Sequence, residues 1–331
     1  MDFLINLLLL GLSLMVLIWG ADKFVDNSSI IAKQLGISEL TIGLTVVALG
    51  TSAPEIFVGI SSILNQSEPL AMGAVVGSNI SNIALIFGVS CIGIATKPKE
   101  TPLIQFIPFL LSALILGYAL KDLLITPFES ILLLIVFTFF LYVIFKNRAS
   151  DELVLTTSMP KDNSIYISVM LIAGLVALIV GSNFAVIYAE KIAILLKISE
   201  LVIGLTIIAI GTSLPELAAT ISAIIKKKTD MVVGNVIGSN VLNITLVVPI
   251  IGLFSNVQLD QLLFNRDYCV MIIATILFML VGITYSSKKV PASLVRSIGV
   301  IFVIGYVAYI CLLYTSPSPR DRTRSRMPSS A

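Results

Sequence analysis

One apolar segment, written twice, constrains this chain more than any other feature. Residues 37–55 read ISELTIGLTVVALGTSAPE, and residues 198–216 read ISELVIGLTIIAIGTSLPE. At an offset of 161, 14 of the 19 positions are identical, too many for two unrelated hydrophobic stretches. The same offset, without a gap, aligns GAVVGSNISNIAL (73–85) with GNVIGSNVLNITL (234–246) at 8 of 13 positions, so the repeat extends beyond one motif. Each first block ends in G-T-S-x-P-E. Pro54 and Pro215 lack an N–H and clash with the carbonyl four residues back, so a helix must break or kink there. Glu55 and Glu216 then place a carboxylate deep in an apolar segment, where a charge costs about 2.5–3.5 kcal/mol.

The surroundings of the two copies are those of a membrane protein. Charged residues make up 12% of the chain and the mean hydropathy is +1.04, against about 25% charged residues in soluble domains. Runs of about 20 apolar residues read as spanning helices. Ten are expected: 3–20 (extendable to 31), 38–63, 70–94, 102–120, 128–146, 165–188, 199–225, 231–254, 268–285 and 293–313. The fold class is therefore all-α integral membrane, with a five-helix repeat over 1–146, a linker over 147–164 and a second five-helix repeat over 165–314. Five is odd, so the copies enter the bilayer in opposite directions. That is the inverted-topology repeat of secondary transporters, whose site lies at the midplane between broken helices. Loops after odd-numbered helices carry eleven Lys and Arg residues (Lys33, Lys97, Lys99, Lys146, Arg148, Lys161, Lys226, Lys227, Lys228, Lys288, Lys289) against four opposite (Lys121, Lys191, Lys197, Arg266). The positive-inside rule puts the richer side in the cytoplasm and both termini outside it.

The paired blocks have the donor set of an ion cage. Hard cations such as Ca²⁺ and Na⁺ take oxygen ligands, and Ca²⁺ accepts six to eight of them in flexible arrangements. Each G-T-S-x-P-E offers one carboxylate, two hydroxyls (Thr51 and Ser52; Thr212 and Ser213) and carbonyls freed by the proline, with Ala48–Thr51 and Ala209–Thr212 as candidates. Ser78 and Asn82 lie four residues apart on one helix face, and Ser239 and Asn243 repeat the pair. Two carboxylates suit one Ca²⁺, and left alone they would repel or hold a proton. Gly73 and Gly77, and Gly234 and Gly238, have the small-xxx-small spacing of closely packed membrane helices. Glu39 and Glu200 follow Ser38 and Ser199 at helix starts, where capping and the helix dipole favour acids, so they read as structural or as loosely attracting cations. Asp22 and Asp26 have no acidic counterparts at Asn183 and Ile187 and are weak candidates.

Other features exclude functions. The chain has no histidine, and no lysine lies near either motif, so a nucleophilic Ser52 or Ser213 would lack a base and an intramembrane hydrolase is disfavoured. Three scattered cysteines suggest neither a disulfide framework nor a zinc site. No enzyme activity, cofactor or nucleic-acid partner is expected. Residues 315–331, TSPSPRDRTRSRMPSSA, hold four arginines where the preceding 314 residues hold three. This tail is expected to be disordered, and its composition resembles translated vector sequence.

ALGTSAPE and AIGTSLPE, each followed by a G-x-V-[VI]-G-S-N-x-x-N-I block, resemble the two alpha-repeats of the sodium/calcium exchanger family among the calcium/cation antiporters. The resemblance spans everything before the tail. It implies ten helices in inverted repeats and exchange of Ca²⁺ for Na⁺ by alternating access in a prokaryotic-type plasma membrane protein. By motif position it makes Glu55 and Glu216 the central ligands. Thr51, Ser52, Thr212, Ser213, Ser78, Ser239, Asn82 and Asn243 would surround them, with the carbonyls of Ala48 and Ala209. The expected partners are Ca²⁺, Na⁺ and the lipid bilayer, with one copy of the chain sufficient. Asn243 stands where potassium-dependent relatives carry Asp, which argues against K⁺ co-transport. The large cytosolic loop of animal exchangers is absent. The alternatives are H⁺/Ca²⁺ antiport and, outside coupled transport, a passive channel.

Overall fold

The computed structural model describes residues 2–66, 68–93, 102–151, 164–197, 209–255, 258–286 and 291–315. Among them the chain is helical throughout, with one isolated bridge between Leu124 and Gln258. Eight helices are long and apolar enough to cross a membrane. They are α1 (Asp2–Gln34), α4 (Glu68–Gly93), α5 (Leu103–Asp122), α6 (Pro127–Lys146), α7 (Ser164–Leu195), α9 (Thr229–Phe254), α10 (Leu263–Thr284) and α11 (Ala292–Leu313). A bent pair, α2 (Glu39–Thr51) and α3 (Ala53–Leu64), makes a ninth span. Of the expected helix 199–225, the described part is a short turn, Ala209–Gly211, followed by α8 (Leu214–Ile225). Glu200, the rest of that segment, the linker 152–163 and the tail beyond Thr315 lie outside the described residues.

Two helices are central and two peripheral. In α4 and α9, 78% and 83% of the most apolar 18-residue window is buried, against 17% in α1 and 22% in α7. The central pair carries the second motif blocks. The peripheral pair turns Leu4, Leu8, Met15, Ile172 and Val176 outward, as helices facing lipid should. The α1–α7 contact rests on small residues, because lipid tails remove any hydrophobic drive between helices. A Cβ on Gly20 would stand 2.4 Å from the Leu178 nitrogen, one on Gly174 2.6 Å from the Phe24 nitrogen, and one on Gly181 2.6 Å from the Leu17 nitrogen. Contacts that advance on one helix as they retreat on the other make the pair antiparallel. On the opposite side Phe278, fully buried, anchors the core, with Phe87 at 4.6 Å and Phe109 at 5.4 Å in edge-on contacts.

α1, α7 and α10 run several residues beyond their expected bounds, and in α1 and α10 pairing gives the reason. α1 runs 33 residues, about 50 Å at 1.5 Å per residue, so it must tilt or protrude from a hydrocarbon layer of about 30 Å. Its polar second half, which hid it from a hydropathy reading, is satisfied by partners. Lys226 Nζ lies 2.5 Å from Asp22 and 2.6 Å from Asp26, Lys228 Nζ lies 3.1 Å from Asp26, and Asn27 donates to the Lys23 carbonyl at 2.7 Å. Asp22 and Asp26 are therefore ion-pair partners that tie α1 to the α8–α9 junction. α7 continues to Leu195 rather than 188. α10 starts at Leu263 rather than 268, because Arg266 and Asp267 satisfy each other at 2.7 Å and Tyr309 donates to Asp267 at 3.0 Å.

Candidate ion-binding site

The site starts from the broken helix. α2 opens at Ser38, whose hydroxyl accepts the Thr41 N–H at 3.2 Å, with Glu39 in the first turn accepting from Ser29 at 3.0 Å. Ser38 is thus the cap, and Glu39 stands in the first turn, where the helix dipole favours an acid. At the other end α2 and α3 meet at 44°, with Ser52 held at φ −81°, ψ 3° between them. Pro54 gives no N–H to the Gly50 carbonyl, while Ser52 N–H bonds Ala48 O at 2.9 Å and Ile56 N–H bonds Ser52 O at 3.2 Å. Ala48 O thus keeps one lone pair for another partner. The second copy breaks similarly. Ser213 sits at φ −96°, ψ 8° before Pro215, and its N–H reaches Ile210 O at 3.1 Å rather than Ala209 O. The Gly211 carbonyl, deprived by Pro215, takes a hydroxyl from Ser182 of α7 at 3.4 Å.

α2 and α9 touch backbone to backbone. A Cβ on Gly43 would stand 2.5 Å from Met231 O, one on Gly234 2.4 Å from Leu40 O, and one on Gly238 2.6 Å from Leu44 O. From Gly234 to Gly238 the partner advances from Leu40 to Leu44 and Ala48, so the helices run parallel, and these two glycines have the packing role their spacing implied. For Gly73 and Gly77 no described atom lies within 4 Å of a built Cβ. α4 and α9 each widen into a π-helical stretch, Ser81–Phe87 and Asn243–Val247, that includes the repeat-matched asparagines Asn82 and Asn243. π-helical turns are rare and concentrate at functional sites.

Both glutamates are buried, Glu55 at 4% and Glu216 at 1% exposure, and the charge of Glu55 acts on Glu216. Ser78 of α4 donates to Glu55 Oε1 at 3.4 Å, and Ser52 donates to Glu216 Oε1 at 3.5 Å. A hydroxyl of the first copy thus meets the carboxylate of the second. Thr51 Oγ1 lies 3.5 Å from Ser239 Oγ, 3.4 Å from Ala48 O and 3.3 Å from Asn235 Oδ1. These contacts are long for O–H···O bonds, so the hydroxyls are loosely held. The second oxygen of each glutamate, both amide atoms of Asn82 and of Asn243, and the Ser213 hydroxyl are buried without a hydrogen-bond partner among the described residues. Buried polar atoms are nearly always paired, so the unpaired carboxylate, amide and hydroxyl oxygens of the two motif copies are candidates to hold a ligand. Among the described residues no cluster of three or more His, Cys, Asp or Glu exists, so the donors here are two carboxylates and neutral oxygens, the set a hard cation prefers.

Thr212 is half-buried beside Ser213, and Ala209 opens the turn before it. Asn235 was not among the sequence candidates. A search for doubled residues passes over it, because the matching position holds Ala74. Thr220, four residues after Glu216 with an unpaired buried hydroxyl, was passed over likewise, with Gly59 at its match.

Comparison with known proteins places the chain in a family. Residues 5–146 and 166–315 match the family described as "Sodium/calcium exchanger protein". The chain is 33% identical to "Inner membrane protein YrbG" of Escherichia coli (strain K12), over 92% of this chain and 96% of that protein. It is 49% identical to "Sodium/calcium exchanger MaX1" of Methanosarcina acetivorans over a shorter stretch, 27% of this chain and 25% of that one. A solved structure of the sodium-calcium exchanger NCX_Mj superposes with a TM-score of 0.78 at 31% identity, covering 93% of this chain and 98% of that one. The chain is a membrane protein that belongs to the sodium/calcium exchanger family.

Proposed function

We propose that this antiporter exchanges Ca²⁺ for Na⁺ at one site between the two motif copies. The observation that carries the reading is the pair of buried glutamates, each with an oxygen that has no hydrogen-bond partner among the described residues, as have the buried amide oxygens of Asn82 and Asn243 on the two motif copies. Two carboxylates balance one Ca²⁺. The same carboxylates with the hydroxyls of Thr51, Ser52, Thr212, Ser213, Ser78 and Ser239, and the carbonyls of Ala48 and Ala209, supply enough neutral oxygens for Na⁺ in its place. Since neither charge state is comfortable without a cation, release of one ion favours capture of the other. The names of the Methanosarcina acetivorans relative and of NCX_Mj support Na⁺ as the counter-ion.

In this reading the chain has ten spans in two inverted five-helix halves, 1–146 and 165–314, with 147–164 in the cytoplasm and both termini outside it. α1 and α7, least buried and joined mainly to each other, would move against the rest to expose the site to alternate sides. One copy of the chain holds every proposed ligand.

Purified protein in liposomes tests this. With Na⁺ inside, external Ca²⁺ should enter, and if more than two Na⁺ leave per Ca²⁺, net charge moves outward and entry is faster when the interior is made positive. Each net charge is worth about 2.3 kcal/mol per 100 mV. Uptake driven equally well by a proton gradient without Na⁺ would move the protein to H⁺/Ca²⁺ exchange. Flux indifferent to any counter-ion would make it a channel.

A further inference from the structure

Asn235 is 2% exposed on α9, at the point where Gly234 and Gly238 let α9 lie against α2. That closeness allows a short amide side chain to reach across to the broken end of α2. Its Oδ1 accepts from Thr51 Oγ1 at 3.3 Å and from Ser239 Oγ, one turn along α9, at 3.4 Å. An amide oxygen has two lone pairs, so it can take both hydroxyl protons at once. A hydroxyl has one proton and two lone pairs, and it ligates a cation only when the proton points away. Thr51 and Ser239 lie 3.5 Å apart, and without the Asn235 acceptor one turns its proton toward the other or Thr51 turns its proton to Ala48 O at 3.4 Å, and either choice occupies an oxygen lone pair that a cation would use.

We infer that Asn235 is a positioning residue, whose side-chain oxygen takes the protons of Thr51 and Ser239 and leaves their lone pairs for the transported cation. The inference rests on the ion site proposed above and extends it to a residue with no repeat-matched partner. At the matching position Ala74 offers no acceptor, so the device belongs to one copy of the motif. The two halves of the site then differ in how firmly their hydroxyls are oriented, although their ligand residues are the same.

The test is Ca²⁺ binding by purified protein in Na⁺-free buffer, read by titration calorimetry, which does not depend on the counter-ion. Asn235→Leu keeps a branched side chain of similar size but removes the acceptor. It should weaken Ca²⁺ binding about tenfold or more, as loss of an outer-shell partner typically does. Asn235→Asp keeps an oxygen at the same reach and should bind Ca²⁺ at least as tightly as the parent. In a Thr51→Val background, Asn235→Leu should weaken binding by a clearly smaller factor, because residues that act through one another are not additive. A purely structural contact between α2 and α9 would instead lower the melting temperature and leave affinity unchanged. Ca²⁺ affinity of Asn235→Leu within about twofold of the parent overturns the inference, as does an equal loss with and without the Thr51 hydroxyl. If the leucine variant does not fold, Asn235→Ala takes its place in the same cycle. A parent that bound no Ca²⁺ would sink the functional reading itself, whereas proton-driven uptake with these affinities would overturn only the choice of Na⁺.

Discussion

A buried carboxylate in a membrane protein is strongly disfavoured unless something compensates it, and this chain keeps two within reach of each other's charge. They accept from serine hydroxyls, Ser78 on Glu55 and Ser52 on Glu216, and among the described residues no lysine or arginine pairs with them, so the compensation falls to a bound cation or a proton. Replacing Glu55 or Glu216 by Gln keeps the shape and one oxygen but removes half the charge facing a divalent ion. A unit charge at about 4 Å contributes about 4 kcal/mol at an effective dielectric of 20, twice that toward Ca²⁺. Each variant should therefore lose Ca²⁺ affinity by more than about 100-fold at normal expression, at about 1.4 kcal/mol per factor of ten. Glu39→Gln should keep most activity, since a first-turn acid is worth about 0.3–1 kcal/mol. Na⁺-driven Ca²⁺ uptake at matched protein levels separates the two classes. Parent-like uptake by either central variant would show that the two copies do not share one ion.

At the scale of the helices, glycines determine how closely the two motif copies approach. α9 meets α2 with no room for a methyl group at Gly238, where an added Cβ would stand 2.6 Å from both Leu44 O and Ala48 Cβ. Gly305 on α11 has nothing within 4 Å. Gly238→Ala should lower stability by about 1–3 kcal/mol through overpacking and impair transport, because it pushes Asn235 and Ser239 away from Thr51. Gly305→Ala should be neutral or stabilising by up to about 1 kcal/mol, since it adds helix propensity without a clash. Melting curves of the two detergent-solubilised variants give the comparison, and equal melting temperatures would mean that the α2–α9 contact yields easily. The lysines of the α8–α9 junction matter at the same scale. By holding Asp22 and Asp26, Lys226 and Lys228 let a long polar-ended α1 lie against the helices that carry the site.

The whole molecule is a buried centre of α4 and α9 with a lipid-facing pair, α1 and α7, at its edge. Every proposed ligand lies within residues 48–243, and the described helical chain runs to Thr315. The basic stretch after it has the composition of a solvated segment rather than of a span. Ending the chain at Thr315 should leave membrane insertion and Na⁺-driven Ca²⁺ uptake at parental levels. Lost uptake with normal expression would give the tail a part in transport.

Much of the site was legible in the sequence because the chain writes it twice. Repetition at a fixed offset singles out Thr51, Ser52, Glu55, Ser78 and Asn82 with their counterparts, and apolar run lengths place most of the spans. Helix ends that rely on distant partners were not legible: the second half of α1 reads as polar until Lys226 and Lys228 arrive from some 200 residues away, and the start of α10 until Tyr309 meets Asp267. Asn235 was hidden for a different reason. Its meaning is a distance, the reach from α9 to a hydroxyl on α2 across a glycine contact, and no spacing along one chain encodes a distance between two helices. Local sequence determined the donors, the break and the apolar lengths, because each depends on neighbouring residues. Which hydroxyl faces which carboxylate, and which oxygens remain free for an ion, only the packing of the helices decided.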